Sequence, residues 1–238
     1  TNGLAATTTT GDINILDTTG GLTVGALTSD FDDTGATTTT TTGITITGGA
    51  AGDDIRIRAS SPLTVNDAVT NTGGGNITLA AEGTANTDDL TIDDNITATG
   101  GNGTIQLFAG GDIVHTSGTI SAVNSGTVDL FGGRDFADGT PAAGHADGGI
   151  AMTAGAVVQQ ANGATVTLAA RGDVALAVTT STGGTVNITA GDDTFAADTA
   201  GAITDANAAA DNITATTTVL TADTGIDTDT AVDNLTAD

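Results

Sequence analysis

One short block recurs along the whole chain: a Gly or Asp, a small polar residue, then apolar, polar, apolar. It reads Gly11-Asp12-Ile13-Asn14-Ile15, Gly43-Ile44-Thr45-Ile46, Asp54-Ile55-Arg56-Ile57, Gly75-Asn76-Ile77-Thr78-Leu79 and Gly103-Thr104-Ile105-Gln106-Leu107. It continues as Gly126-Thr127-Val128-Asp129-Leu130, Gly149-Ile150-Ala151-Met152, Thr165-Val166-Thr167-Leu168 and Thr185-Val186-Asn187-Ile188. Period-two alternation over four or five residues, bounded by Gly, is the pattern of a short strand with one buried side. Helical periodicity is almost absent.

Ile105, Val128 and Ile150 are spaced by about 22 residues, and weaker apolar points at Ile113, Ile120, Val157 and Val174 fall between such blocks. Three short strands per turn of a fixed period predict a parallel β-helix with about 20–23 residues per coil. Asp94-Asn95-Ile96-Thr97-Ala98, Asp211-Asn212-Ile213-Thr214-Ala215 and Asp233-Asn234-Leu235-Thr236-Ala237 are near-literal copies. Residues 1–238 therefore read as one β-solenoid array of about ten or eleven coils, a rod on the order of 50 Å long. Gly132 to Gly149 is predicted to protrude as a loop, and the Thr-rich runs Thr7 to Thr10 and Thr37 to Thr42 to be edge or turn segments. The sequence opens at Thr1 without Met or a leader, and Asn234 to Asp238 stop within a recognisable repeat. Both features read as a segment of a longer array or a subunit that stacks on its own copies.

Composition narrows the core. The chain has 35 Gly, 2 Pro, no Cys, Trp or Tyr and 5 Phe, yet is 38% hydrophobic. Its apolar content is Ala, Val, Ile and Leu, which suits a thin solenoid core and not the wide core of a globule or a sandwich of Ig type built on bulky aromatics. Four Lys plus Arg against 29 Asp plus Glu give a net charge of −25, which excludes nucleic acid as a partner and opposes an anionic bilayer. No apolar run approaches the ~20 residues of a membrane helix, so membrane insertion is not expected. Screening and divalent cations outside a cell would relieve the self-repulsion, so the expected location is secreted, extracellular or on a bacterial cell surface. Disorder is disfavoured by the density of Thr, Val and Ile.

The blocks "GDI", "GTVDLFGG", "GNITLAAEG", "ATVTLAARGD" and "GGTVNITAGDD" resemble the haemagglutinin-type repeats of filamentous-haemagglutinin-like exoproteins and giant bacterial β-strand-repeat surface adhesins. That resemblance implies a right-handed parallel β-helix, export, and a role in adhesion, biofilm or fibre formation. The repeat length is irregular before about residue 75, and the amino-terminal secretion domain of those exoproteins is not recognisable. Implied partners are neighbouring copies or adjoining repeats, with host or surface glycans as further candidates.

Sites for chemistry are sparse, and no enzyme is expected. A carbohydrate-active β-helix would need clustered carboxylates facing a basic residue, with aromatic platforms for sugars. The arginines are Arg56, Arg58, Arg134 and Arg171; Arg56 and Arg58 share a strand side and read as surface ion pairs with Asp53-Asp54. Asp112, His115 and Ser117 could be drawn into a hydrolytic set, but no nucleophile elbow exists. No cofactor is required. Calcium is the small partner the oxygen-rich composition suits, with Asp88, Asp89, Asp93, Asp94, Asp192, Asp193, Asp227 and Asp229 as candidate ligands. Asp30, Asp32, Asp33, Asp53, Asp54 and Asp233 extend these clusters, and none matches a strict motif, so solvated turn carboxylates or a calcium-dependent surface-layer module are the competing readings. Asn-x-Thr triplets begin at Asn76, Asn95, Asn102, Asn187, Asn212 and Asn234, a spacing the strand pattern generates by itself. Ice binding would need stacked Thr-x-Thr; Thr45 and Thr47 fit, whereas the outward positions Asn14, Arg56, Gln106, Asp129 and Asn187 read as too irregular.

Overall fold

The computed structural model describes residues 2–30, 38–83, 85, 87–134, 148–191, 200–208 and 210–238. These residues form strands and turns without a helix, and all strand pairings but one are parallel. The chain runs in circuits of three strands.

The first circuit is β1 (Asn2–Leu4), β2 (Ala6–Thr8) and β3 (Ile13–Asp17). The second opens with β4 (Leu22–Val24), is interrupted by β5 (Ala26–Asp30) and β6 (Thr38–Thr42), and resumes with β7 (Ile44–Ile46) and β8 (Ile55–Ala59). The next four circuits are β9 (Leu63–Val65), β10 (Val69–Asn71), β11 (Ile77–Ala81); β12 (Leu90–Ile92), β13 (Ile96–Ala98), β14 (Ile105–Ala109); β15 (Ile113–His115), β16 (Thr119–Ala122), β17 (Val128–Gly132); and β18 (Ile150–Met152), β19 (Val157–Gln160), β20 (Thr165–Ala170). In the last three, the second and third strands merge: β21 (Val174–Leu176) with β22 (Val178–Ala190), β23 (Ala202–Asp205) with β24 (Ile213–Ala222), and β25 (Gly225–Ile226) with β26 (Thr230–Ala237).

Apart from β5 and β6, each strand pairs with its counterpart one circuit away, so three faces result. Face 1 is the nine-stranded sheet β1-β4-β9-β12-β15-β18-β21-β23-β25. Face 2 runs from β2 through β7, β10, β13, β16 and β19 to the first half of β22; face 3 runs from β3 through β8, β11, β14, β17 and β20 to its second half. Strands β24 and β26 extend both faces. At about 4.8 Å per circuit, nine described circuits span about 40 Å, shorter than the rod expected from the sequence.

The alternation expected from the blocks sets what lies inside. Ile13, Ile55, Ile77, Ile105, Val128, Val166 and Val186 are successive partners on face 3, all buried. Leu79, Leu107, Leu130, Leu168 and Ile188 form the parallel rank two residues on. Small aliphatics suffice because the three faces close on so little volume. At the corner entering face 3, Gly75, Gly103 and Gly126 stack so tightly that a Cβ would come 2.1–2.2 Å from a backbone oxygen of the preceding circuit. This explains the Gly two residues before Ile77, Ile105 and Val128.

The circuit length is not fixed at 20–23. Leu90 and Ile113 are partners 23 residues apart, but Leu22 pairs with Leu63 and Ile113 with Ile150. The extra residues fall between strands, and in the merged β22–β24 pair the register shifts between Ser181 and Thr185. One such excursion is the antiparallel pair β5–β6, so Thr38–Thr42 is an edge strand; Thr7 and Thr8 belong to β2, the edge strand of its sheet, and Thr9 and Thr10 to the bend after it. Leu27 of that hairpin lies against Gly3, where a Cβ would meet its Cδ2 at 2.9 Å. Most of the Gly132 to Gly149 loop, with His145, lies outside the described residues.

Polar groups also enter the core, where corners expose backbone. Asn71 donates to the carbonyl of Asp53 (2.8 Å) and accepts from the Gly73 amide (3.0 Å). Gln160 donates to Asn124 O and accepts from the amides of Asn162 and Ala164. His115 is different, as are the buried hydroxyls of Thr179 and Thr218: it is fully buried between Ile92 and Met152, and neither ring nitrogen has a hydrogen-bond partner. Burial pushes its pKa down to about 4, against weaker upward pulls from the backbone of Gly118 and Ser117 and from Asp93.

Because the folded pKa lies below the ordinary value of 6.5, the unfolded chain takes up the proton first. The His115 contribution to stability is complete above pH 6.5 and falls as pH drops toward 4, by roughly 3 kcal/mol. Chemical denaturation of the wild type and of His115→Met across this window tests it: the variant, matching Met152 above it, should lose this part of the acid sensitivity.

Candidate functional site

Turning a corner takes backbone amides out of the sheet, and in this chain side chains receive many of them. The residue just before a strand is repeatedly Asp or Asn, and its side-chain oxygen accepts the amide of the equivalent residue one circuit on. Entering face 3, Asp12 accepts from Asp54 N (2.9 Å), Asp54 from Asn76 N (2.7 Å) and Asn76 from Thr104 N (2.9 Å). Entering face 1, Asp89 accepts from Asp112 N (2.9 Å), Asp112 from Gly149 N (2.7 Å) and Asp173 from Ala202 N (2.8 Å). Entering face 2, Asn95 accepts from Thr119 N and Asn212 from Asp229 N, both at 2.9 Å.

These ladders account for several aspartates singled out by the sequence. Asp89 belongs to one, and burial raises its pKa, with Asp112 and Asp88 adding to the shift and the Asp112 amide opposing it. Asp88, itself buried, closes its own turn by accepting from Ala85 N (2.7 Å). Asp93 accepts from the Thr116 hydroxyl, and Asp94 from the amide and side chain of Asn95. Asp227 and Asp229 are exposed on the last circuit, and Asp229 gives its amide to Asn212. Asp53 accepts from Ala50 N, and the amides of Gly11 and Ala50 hold its pKa down. Asp32, Asp33, Asp192 and Asp193 lie outside the described residues, as does the side chain of Asp30. Among the described residues no three His, Cys, Asp or Glu side chains converge as a metal-binding group.

The ladders also occupy three of the Asn-x-Thr triplets, since Asn76, Asn95 and Asn212 all serve as corner acceptors. Asn212 is fully buried, donating to Leu176 O and Ala177 O and to the Asp205 carboxylate, whose pKa it lowers. The possible hydrolytic set does not assemble: His115 faces the core, Asp112 holds Gly149 N and Ser117 donates to Asp93 O.

The outer surfaces of faces 2 and 3 differ sharply. Asn14, Arg56, Gln106, Asp129 and Asn187 all belong to one outward rank of face 3. Arg56 lies 3.9 Å from Asp54, whereas Arg58 pairs bidentately with Glu82 (2.7 and 2.8 Å) and not with the Asp53-Asp54 turn. In the neighbouring rank Phe108 and Phe131 stack at 5.1 Å, with the Arg134 guanidinium 5.3 Å from the Phe131 ring centre. Asp129 is pushed up by burial, against hydrogen bonds from Thr127, Thr167 and Gln106.

Face 2 carries hydroxyls instead. Its outward rank is Thr7, Thr45, Thr70, Thr97, Ser121, Gln159, Thr180 and Thr214. Two residues on, at the strand exit, stand Thr9, Thr47, Thr72, Thr99, Val123, Ala161, Thr182 and Thr216. Register continues into this second column, because Thr47 N bonds Thr8 O, Thr72 N bonds Ile46 O and Thr99 N bonds Asn71 O. The hydroxyls of Thr47 and Thr72 donate to those same carbonyls, at 3.4 and 3.2 Å. No Asp, Glu, Lys or Arg occurs in β2, β7, β10, β13, β16 or β19. In the sequence this array is hidden, because Thr45 and Thr47 alternate along the chain with outward residues of face 3 such as Asn14 and Arg56.

Comparison with known protein families, with curated proteins and with solved structures returned no match.

A corner ladder should be separable from mere charge. Asp54→Ala removes the acceptor of the Asn76 amide and should cost about 1 kcal/mol, with faster hydrogen exchange at that amide. Asp54→Asn keeps an acceptor oxygen and should preserve both stability and protection.

Proposed function

We propose that the chain is a right-handed parallel β-helix serving as a non-enzymatic, extracellular structural or adhesive fibre module. The observation that carries this reading is the parallel register running through nine circuits around one continuous aliphatic core. Right-handedness follows from the strong general preference for right-handed connections between parallel strands of one sheet. Stability in such a stack comes from neighbour-to-neighbour interfaces, which suits a spacer under extension more than a cavity for substrate.

The partner in this reading is another circuit of the same kind, from adjoining repeats or a second copy. Core ranks run to the last circuit, where Leu235, the rank partner of Thr218, is 52% exposed. The affinity with haemagglutinin-type repeats, and a bacterial surface or biofilm setting, belong to the same proposal and rest on the motifs and on the charge of −25. A glycan-directed reading has one observation in its favour: the Arg134 guanidinium lies over the Phe131 ring on face 3, with Asp129 two residues before Phe131 in β17.

Electron microscopy of the native material tests the leading reading. Rods or filaments of uniform width are expected; compact particles would remove it. Calcium titration against melting temperature addresses the acidic turns separately: a calcium-dependent surface-layer module should gain several degrees at millimolar metal, following mass action on the folded state, and an unchanged melting curve would end that variant.

A further inference from the structure

We infer that face 2 is an ice-binding surface, a function beyond the fibre role. Its first four circuits carry Thr at both outward columns without interruption, from Thr7 and Thr9 to Thr97 and Thr99. Parallel strands place equivalent residues about 4.8 Å apart along the stack, and residues i and i+2 about 6.7 Å apart along a strand. The eight threonines thus form a two-dimensional lattice of hydroxyl and methyl groups with spacings near those of oxygen atoms in hexagonal ice.

Three further features favour ordered water over other occupants. The lattice is rigid, because its strands lie in continuous register over buried Ile44, Ile46, Val69 and Ile96. The Thr47 and Thr72 hydroxyls donate to backbone carbonyls of the preceding circuit, Thr8 O and Ile46 O, so these two side chains are held in the same way one circuit apart. Charge is absent from these strands although the chain carries 29 acidic residues. A charged side chain would hold its own hydration shell against the lattice, whereas methyl groups cage water and hydroxyls anchor it. Ser121 with Val123 and Gln159 with Ala161 interrupt the array, and Thr180 with Thr182 resumes it, so the first block is the larger binding unit.

The test uses the 238-residue chain in a nanolitre osmometer and in an ice-affinity assay with fluorescently labelled protein. Faceted ice crystals, a gap between melting and freezing points, and incorporation of the protein into a growing ice hemisphere are expected. Thr70→Tyr, at the centre of the block, should abolish most of the freezing-point gap while leaving the circular dichroism spectrum and melting temperature unchanged. Asn187→Lys on face 3 should leave the gap intact and serves as the control. Absence of both ice shaping and ice incorporation in the wild type would overturn the inference. So would a Thr70→Tyr protein that folds and keeps full activity, or retention on crystalline chitin or cellulose without any affinity for ice.

Discussion

A chain that turns three corners in every circuit must find partners for the amides and carbonyls that each corner removes from the sheet. Each buried backbone group left without a partner costs about 1–3 kcal/mol. Asp and Asn side chains solve this from outside, each reaching one circuit along to the next amide, as in Asp12 to Asp54 to Asn76 to Thr104. Asn71, Gln160 and Asn212 solve it from inside, with side chains enclosed in the core. Much of the acidic character of the chain is therefore structural in origin. Asp89 and Asp112 would be needed at their corners whatever the solvent or partner.

The strand content was legible because inward and outward residues alternate so strictly. Every block quoted from the sequence corresponds to a strand, and Ile55, Ile77, Ile105 and Val128 fall into one rank. The assignment of strands to faces was far less legible. Strands of faces 1 and 2 are mostly three residues long, so they offer two inward positions and too little pattern to be told apart. Variable excursions at the corners then hide the period, as between Ile113 and Ile150. The Thr columns were invisible for that reason: a rank is a property of residues more than twenty apart, sorted by face.

The aspartates were the least legible part of the candidate site. A carboxylate at a turn can coordinate a cation, hydrate, or accept an amide from another strand, and the local sequence is the same in each case. Asp94, bonded to its own neighbour Asn95, and Asp89, bonded across circuits to Asp112, sit in closely similar surroundings in the sequence. His115 shows the converse. Nothing in Ile113-Val114-His115 distinguishes an inward from an outward imidazole except parity with Ile113, and parity places it in the core.

The corner between faces 2 and 3 shortens along the molecule: six residues separate Ala98 from Ile105, but only two separate Ala215 from Thr218. Both versions feed the same ranks, so the stack accommodates bends of two to six residues at this corner. Such bends are natural ports for grafting. A foreign peptide placed where β5 and β6 already leave the second circuit would be displayed at a fixed height along the stacked strands, and several such insertions could be spaced in steps of a single circuit.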